Sequence, residues 1–345
     1  PSNWGRIIDA GGDARCIAAT TDEWGIAVTA DESNPTTREP FEVPLTDNQW
    51  INLVDRIYHG RVTLFLGAGA SYGHVALGKQ VINQWLPNAS TCIAEDLAGQ
   101  LPHVAQHRKL FDRDEDAIMV KQDFIEQFVR GRQENIDFKA DGEPLGRLAR
   151  LPFETVITTN YDDLMAEAFT QNNKTPAVTT CQWNCDDLRE RERRLVEQKA
   201  LSPSKTAPVI FHLHGHHTDA KSLVLLEEDF EHFLAKLLKP NVGSLESDDI
   251  LPDYVYKALS QSILFVGYSM GDMTFRSVFR GVLNRVSNIN RAKSVTVQYD
   301  GITKQQAQYT EAYYRDLKIA FVNQSAADFT KALEEQWRAK YGNGN

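Results

Sequence analysis

Three side chains are of a type and setting to act on a bound small molecule: Asn160 and Asp162 in the run TVITTNYDDL, residues 155–164, and His214 near the end of PVIFHLHG. An amide does not titrate, so Asn160 can orient a water or a sugar hydroxyl at any pH. Asp162 adds a carboxylate two positions on. His214 offers an imidazole, whose ordinary pKa near neutrality suits general base work. Two small-residue runs accompany them. In Gly67-Ala68-Gly69-Ala70-Ser71, backbone N–H groups can approach a phosphate and a following helix adds its positive end. Gly267-Tyr268-Ser269-Met270-Gly271-Asp272 suits a ribose or a second phosphate. Each run also has a plainer reading: GAGAS as a tight strand-to-helix turn, GYSMGD as a turn with Asp272 capping a helix. Neither the dinucleotide fingerprint nor the P-loop is matched, since the third glycine and the GK[ST] triplet are missing.

The elements that must position these residues follow from periodicity. VTLFL before GAGAS, TVITT before Asn160, PVIFH before His214 and SILFV before Gly267 are apolar strand-like runs, each ending in small or polar residues. Asp162 and Asp163 open a helix over 162–170, and further helices are expected over 76–100, 114–131, 271–287 and 326–341. A helix begins at NQWINLVDRIYHG, capped by Thr46 or Asp47. LVLL before EEDFEHF reads as a short strand, and SVTVQY and KIAFVN as late ones. Strands alternating with helices predict an α/β fold, a Rossmann-like doubly wound parallel sheet with flanking helices, plus a small N-terminal β segment. In such a sheet all four chemical runs lie at the carboxyl edge, where open α/β sheets bind ligands. Residues 1–45, with short apolar runs between turns, form a β meander or assembly arm. Residues 46–345 form the catalytic domain, with helical insertions near 76–150 and 181–205. The charged stretch 186–199 is expected to be a solvated helix face.

An excess of acidic over basic residues, 47 against 37, gives a net charge of −10 and argues against general nucleic-acid binding. No apolar run reaches the roughly 18 residues a membrane helix needs, no secretory leader is recognisable, and a cytoplasmic location is expected. Cys16, Cys92, Cys181 and Cys185 read as sparse reduced thiols, because Cys181 and Cys185 lack a second pair to complete a tetrahedral zinc site. By strand alternation His212 and His214 share a face. A hydrogen-bonded structural role is the plainer reading of these histidines; His216 and His217 also allow a metal-binding cluster, but no nearby carboxylate spacing resembles a known metal signature.

The order GAGAS, TTNYD, LHG, GYS resembles the sirtuin superfamily over roughly residues 60–325. The wording FETVITTNYDDLM and FVGYSMGD is similar to its bacterial antiphage branch of NAD-degrading effectors. The resemblance implies NAD+ as substrate, contacted by Gly67, Ala68, Gly69, Ser71, Thr159, Tyr161, Gly267, Ser269 and Asp272. It implies catalytic roles for Asn160, which orients the water or ribose hydroxyls, for His214, which accepts a proton, and for Asp162, which holds the nicotinamide amide or the developing charge. The four-cysteine zinc module of protein deacylases is absent, as is their proline-aspartate-phenylalanine-arginine loop after GAGAS. No zinc is therefore expected, and water is favoured as acceptor. The implied activity is an NAD+ glycohydrolase giving nicotinamide and ADP-ribose. An NAD-dependent protein deacylase would turn over NAD+ only with an acyl-lysine peptide, and a non-catalytic NAD+ or ADP-ribose sensor would bind without product. Such enzymes need gating, so the resemblance also implies a homo-oligomer or a separately encoded activating partner, such as a DNA-translocating ATPase or a short argonaute.

Overall fold

The computed structural model describes residues 41–86, 93, 95–112, 116–132, 135–185, 188–238, 250–268, 294–299 and 302–342, with two short strands nearer the start. The chain divides into two compact units, Pro1–Glu39 and Pro40–Asn345. In the first, β1 (Thr20–Thr21) pairs antiparallel with β2 (Ala27–Val28). Of the meander or arm expected over residues 1–45, the rest up to residue 40 lies outside the described residues, while Val43 bridges Asn323 in the second unit.

Among the described residues of the second unit, seven strands form one parallel sheet. They are β3 (Val62–Leu66), β4 (Thr155–Thr158), β5 (Ala177–Thr180), β6 (Val209–His212), β7 (Ser262–Val266), β8 (Ser294–Gln298) and β9 (Ile319–Asn323). Their order is β5-β6-β4-β3-β7-β8-β9, and every adjacent pair is parallel. The chain builds outward from β3 in both directions, which makes the carboxyl ends around β3 the switch point where a ligand crevice forms. β3, β4, β6 and β7 are buried along their whole length. That is why they read as unbroken apolar runs rather than alternating ones.

Helices cover both faces. Val156 and Ile210 pack with the helices Asp47–Tyr58, Pro144–Arg150, Leu164–Gln171 and Ala326–Tyr341 through residues such as Leu53, Leu148, Phe169 and Phe329. On the other face Ile157 and Phe211 meet Phe233, Val255 and Tyr314 from the helices Glu227–Leu238, Asp253–Leu259 and Lys304–Asp316. A third apolar cluster joins Trp85, Val104, Phe124 and Phe128 to Leu225 and Leu226, placing a helical layer beside the sheet's carboxyl edge. No helix among the described residues is long and apolar enough to cross a membrane.

Several local expectations hold. Thr46 caps the helix Asp47–Tyr58, accepting from Gln49 N–H while Gln49 Oε1 accepts from Thr46 N–H at 2.9 Å. Ala326–Tyr341 is helical, and so is the charged segment Leu188–Lys199. Others change. Residues 76–100 are not one helix but Gly78–Trp85 and Glu95–Ala98, with a further helix at Leu101–Asp112. The helix Ala117–Phe124 passes into a π-helical turn, Ile125–Val129. LVLL is buried but pairs in no ladder, and the edge strand is Ala177–Thr180 instead. Residues 181–205, expected as an insertion, contain the helix that crosses from β5 to β6. The expected helix 271–287 lies outside the described residues.

The helical layer is tied to the sheet domain by a buried ion pair. Lys121 Nζ donates to Asp229 Oδ1 at 2.7 Å, and Asp229 Oδ2 accepts from Leu225 and Leu226 N–H. Both side chains are almost fully buried. Removing one partner strands the other charge, so Asp229→Ala is expected to cost about 3–5 kcal/mol, read from denaturant midpoints. The double variant Lys121→Met/Asp229→Leu is expected to recover part of that loss.

Candidate active site at the carboxyl ends of β3, β4, β6 and β7

After β3 the backbone makes a short 3-10 turn, Ala68–Ser71, and the next helix starts only at Gly78. Gly67 N–H donates to Val266 O, Gly69 N–H to Gly267 O and Ala70 N–H to Gly67 O, each at 2.9 Å. The glycines of GAGAS therefore serve a close approach between two loops before they serve any ligand. Gly267 has φ +85°, and a Cβ there would lie 2.2 Å from Ala70 N. Three of the GAGAS amides are thus committed within this junction, and the next helix starts at Gly78 rather than directly after Ser71. Tyr268 completes the junction, donating to Leu66 O at 2.7 Å while its hydroxyl meets Thr159 Oγ1 at 3.0 Å. Ser269 and Asp272 lie outside the described residues.

Asn160 is fixed on every side but one. Its N–H donates to Thr158 Oγ1, and its carbonyl accepts from His212 Nδ1 at 2.8 Å. Its Nδ2 donates to Gly67 O at 3.2 Å and Ser71 Oγ at 3.0 Å. Oδ1 has no hydrogen-bond partner among the described residues, so the side chain can present only an acceptor to a ligand. Ser71 Oγ in turn donates to Asp162 Oδ2 at 3.4 Å, and Asp162 Oδ1 accepts Leu164 N–H at the start of its helix. Burial raises the Asp162 carboxyl above its usual range. The three residues form one polar chain, Asn160–Ser71–Asp162, inside the strand-end crevice.

β6 ends at His212, and the next residues turn. The two histidines expected to share a face accordingly have different neighbours. The His212 ring meets Asn160 O and stands edge-on to His216, with centroids 4.5 Å apart. The His214 ring lies edge-on to Phe230 and Phe233. Its Nε2 is buried with no partner among the described residues. Burial in this aromatic setting lowers the His214 pKa to about 3, and burial with the nearby His216 lowers that of His212 to about 3. His214 is thus a neutral imidazole with an unused ring nitrogen, rather than a base poised near neutrality.

These shifts set a pH dependence. The folded state holds both rings neutral down to about pH 3, whereas the unfolded chain protonates them near 6.5. Between those values the unfolded state binds more protons, so stability falls as pH falls, by about 1.4 kcal/mol per pH unit for each ring. Asp162, shifted upward, works in the opposite direction. His214→Gln is expected to reduce the acid slope of the denaturation midpoint, and an unchanged slope would refute a buried neutral His214.

Tyr161 is an anchor: its hydroxyl donates to Val224 O at 2.7 Å and its ring stands edge-on to Phe124 in the helical layer. The strand ends and the helical layer enclose a cavity of about 1410 Å3. Its walls include Gly69, Ser71, Thr159, Asn160, Tyr161, Asp162, His214, Gly267 and Tyr268, together with His74, Lys79 and Glu143 from the segments after GAGAS. That volume exceeds the roughly 300–1,000 Å3 typical of ligand pockets. Sequence reasoning missed the hold of His212 on the Asn160 carbonyl, the Tyr268–Thr159 junction and the His74–Glu143 pair at 2.8 Å. It also missed Asp163, whose carboxylate meets His216 and His217. Cys181 is buried and Cys185 is partly exposed, and neither is in a disulfide.

Residues 154–319 match the family model of the SIR2-like domain. The chain is similar to the NAD(+) hydrolase ThsA of Bacillus cereus (strain MSX-D12), with 30% identity over 125 residues, 36% of this chain and 21% of that protein. It is 27% identical over 181 residues to the NAD(+) hydrolase ThsA of Cytobacillus dafuensis, 50% of this chain and 32% of that protein. The chain therefore spans less than a third of the length of these relatives. GAGAS precedes the matched domain, yet its Gly67 and Ser71 hold the Asn160 amide.

Proposed function

We propose that this chain, which resembles the sirtuin-like family and matches its domain over residues 154–319, is an NAD+ glycohydrolase that cleaves the nicotinamide–ribose bond to give nicotinamide and ADP-ribose. The observation that supports this reading is the presence, among the residues lining one cavity, of two groups without a hydrogen-bond partner among the described residues: Asn160 Oδ1, whose amide hydrogens are occupied, and His214 Nε2, which accepts when the ring proton is on Nδ1. An acceptor that cannot titrate and a ring nitrogen in its basic form are what a water needs to be held and then deprotonated.

In the reaction, the bond between C1′ and the nicotinamide nitrogen breaks with its electron pair leaving on nicotinamide, and the ribose develops oxocarbenium character. Asn160 Oδ1 accepts a hydrogen bond from the attacking water or a ribose hydroxyl. The water oxygen bonds to C1′, and its proton passes to His214 Nε2 and then to solvent. Asp162 binds the carboxamide of nicotinamide or stabilises the developing charge. The apolar wall around His214 keeps bulk water from this step. The two ThsA relatives bear the name NAD(+) hydrolase, which supports NAD+ as substrate. As in the antiphage branch the sequence resembles, the protein would act by depleting NAD+ in an infected cell, switched on by self-association or by a separately encoded partner.

Incubating the chain with NAD+, alone and with the product of its neighbouring gene, and separating the products by chromatography tests the reading. Equal amounts of nicotinamide and ADP-ribose without any acyl-lysine peptide are expected. Turnover that requires such a peptide would make it a deacylase, and binding without product would make it a sensor.

A further inference from the structure

Beside the cavity, but not among its lining residues, three side chains converge from two segments far apart in sequence. Gly215, at φ +91°, turns the chain after β6 so tightly that a Cβ would lie 2.1 Å from Ser222 O. The turn delivers His216 and His217 to the start of the helix Leu164–Gln171, where Asp163 stands as the capping residue. Both backbones are pinned: His216 N–H donates to Ser222 Oγ and His217 N–H to Tyr161 O, each at 3.0 Å. His216 Nε2 lies 2.8 Å from Asp163 Oδ1, and His217 Nε2 lies 2.5 Å from Asp163 Oδ2. Asp163 makes no side-chain cap to its own helix, so the two rings take its whole carboxylate.

We infer that Asp163, His216 and His217 form a binding site for one zinc(II) ion, with water completing the coordination. Two imidazole nitrogens and a carboxylate are a donor set that suits zinc, whereas calcium and magnesium call for oxygen ligands throughout. The three ligand atoms lie within 4.8 Å of one another. Bonds of about 2.0–2.2 Å to a tetrahedral ion hold ligand atoms about 3.3 Å apart. The present hydrogen-bond distances need open by less than about 1 Å to admit the ion. The Asp163 side chain is 32% exposed, which leaves an entry path from solvent.

His216 carries the second feature expected of a ligand, a partner on its other nitrogen: Nδ1 lies 2.8 Å from Thr218 Oγ1. Without metal, Nε2–H donates to Asp163 and the Thr218 hydroxyl donates to Nδ1. With zinc on Nε2 the ring proton sits on Nδ1, and the same hydroxyl rotates to accept it, as a hydroxyl can. This ligand set is unrelated to the four-cysteine module missing from the sequence. It reaches the cavity through His212, whose ring abuts His216 and whose Nδ1 holds the Asn160 carbonyl. Zinc would therefore stiffen the turn against which Asn160 is anchored.

The test uses the full chain, stripped with a chelator and titrated with cobalt(II) and then zinc(II). One equivalent of cobalt with the absorption of a four-coordinate site, displaced by zinc, is expected. His217→Gln and Asp163→Asn should lose it with circular dichroism unchanged, and Thr218→Ala should weaken zinc binding about 10–100-fold. Failure of the wild-type chain to bind at micromolar metal would overturn the assignment, as would binding unaltered in His217→Gln. Should His217→Gln misfold, Thr218→Ala decides, and an unchanged affinity there would equally overturn it.

Discussion

His214→Ala is expected to lower the rate of NAD+ cleavage roughly a hundred- to ten-thousand-fold, the range typical of a lost general base, while NAD+ binding changes little. The expectation follows from the unusual state of this ring. A base in water holds hydrogen bonds that it must break before accepting a proton, but His214 Nε2 is buried and has no partner among the described residues. Its low pKa of about 3 reflects desolvation alone. The ring is thus neutral at every physiological pH. The rate of the wild-type enzyme should accordingly show no loss between pH 8 and 6 that traces to His214. His214→Gln separates the roles: it keeps a polar group of similar reach but accepts no proton, and it should resemble His214→Ala in rate. A rate near wild type in both variants would remove His214 from the chemistry.

Gly267→Ala is expected to destabilise the domain by roughly 2–6 kcal/mol, adding about 1–3 for a side chain at positive φ to about 1–3 for overpacking. The contact is backbone on backbone, so no flexible side chain can yield. The added Cβ would lie 2.2 Å from Ala70 N and 2.7 Å from Gly69 C. Relief would push the GAGAS turn away from β7 and lengthen the Gly69 N–H bond to Gly267 O. Since Gly67 O and Ser71 Oγ hold the Asn160 amide, even a folded variant should lose turnover. Gly73 makes a control: it also has positive φ, but a Cβ there meets nothing within 4 Å, so Gly73→Ala should cost strain alone. Denaturant melts of the two variants separate the clash from the backbone term.

What the sequence made legible was set by burial. VTLFL, TVIT, VIFH and SILFV are buried on both faces, and unbroken apolar runs of that length admit few readings. From them came the parallel sheet and the meeting of Asn160, Asp162 and His214 at one edge. AVTT escaped notice because the edge strand it forms is half exposed and carries no apolar signature. LVLL misled in the opposite sense. It is buried, but Val224 N–H donates to His214 O and Val224 O accepts from Tyr161, so its polar groups are satisfied by the site rather than by a ladder. Residue roles were less legible than residue positions. GAGAS reads as a phosphate loop, yet Gly67 and Gly69 N–H donate to Val266 O and Gly267 O at the end of β7, some 200 residues away, and Ala70 N–H donates to Gly67 O. The carboxylate missing from the histidine cluster belongs to Asp163, 53 and 54 residues from its partners, a distance no local spacing rule spans.

In the proposed reaction Asn160 Oδ1 places the nucleophile at the ribose. The most direct test of that role measures NAD+ affinity and cleavage rate side by side for wild type and Asn160→Ala, under conditions where the wild type turns over. The variant is expected to bind NAD+ within a few-fold of wild type and to cleave it at least about a hundred-fold more slowly. Cleavage by Asn160→Ala at the wild-type rate would contradict that role.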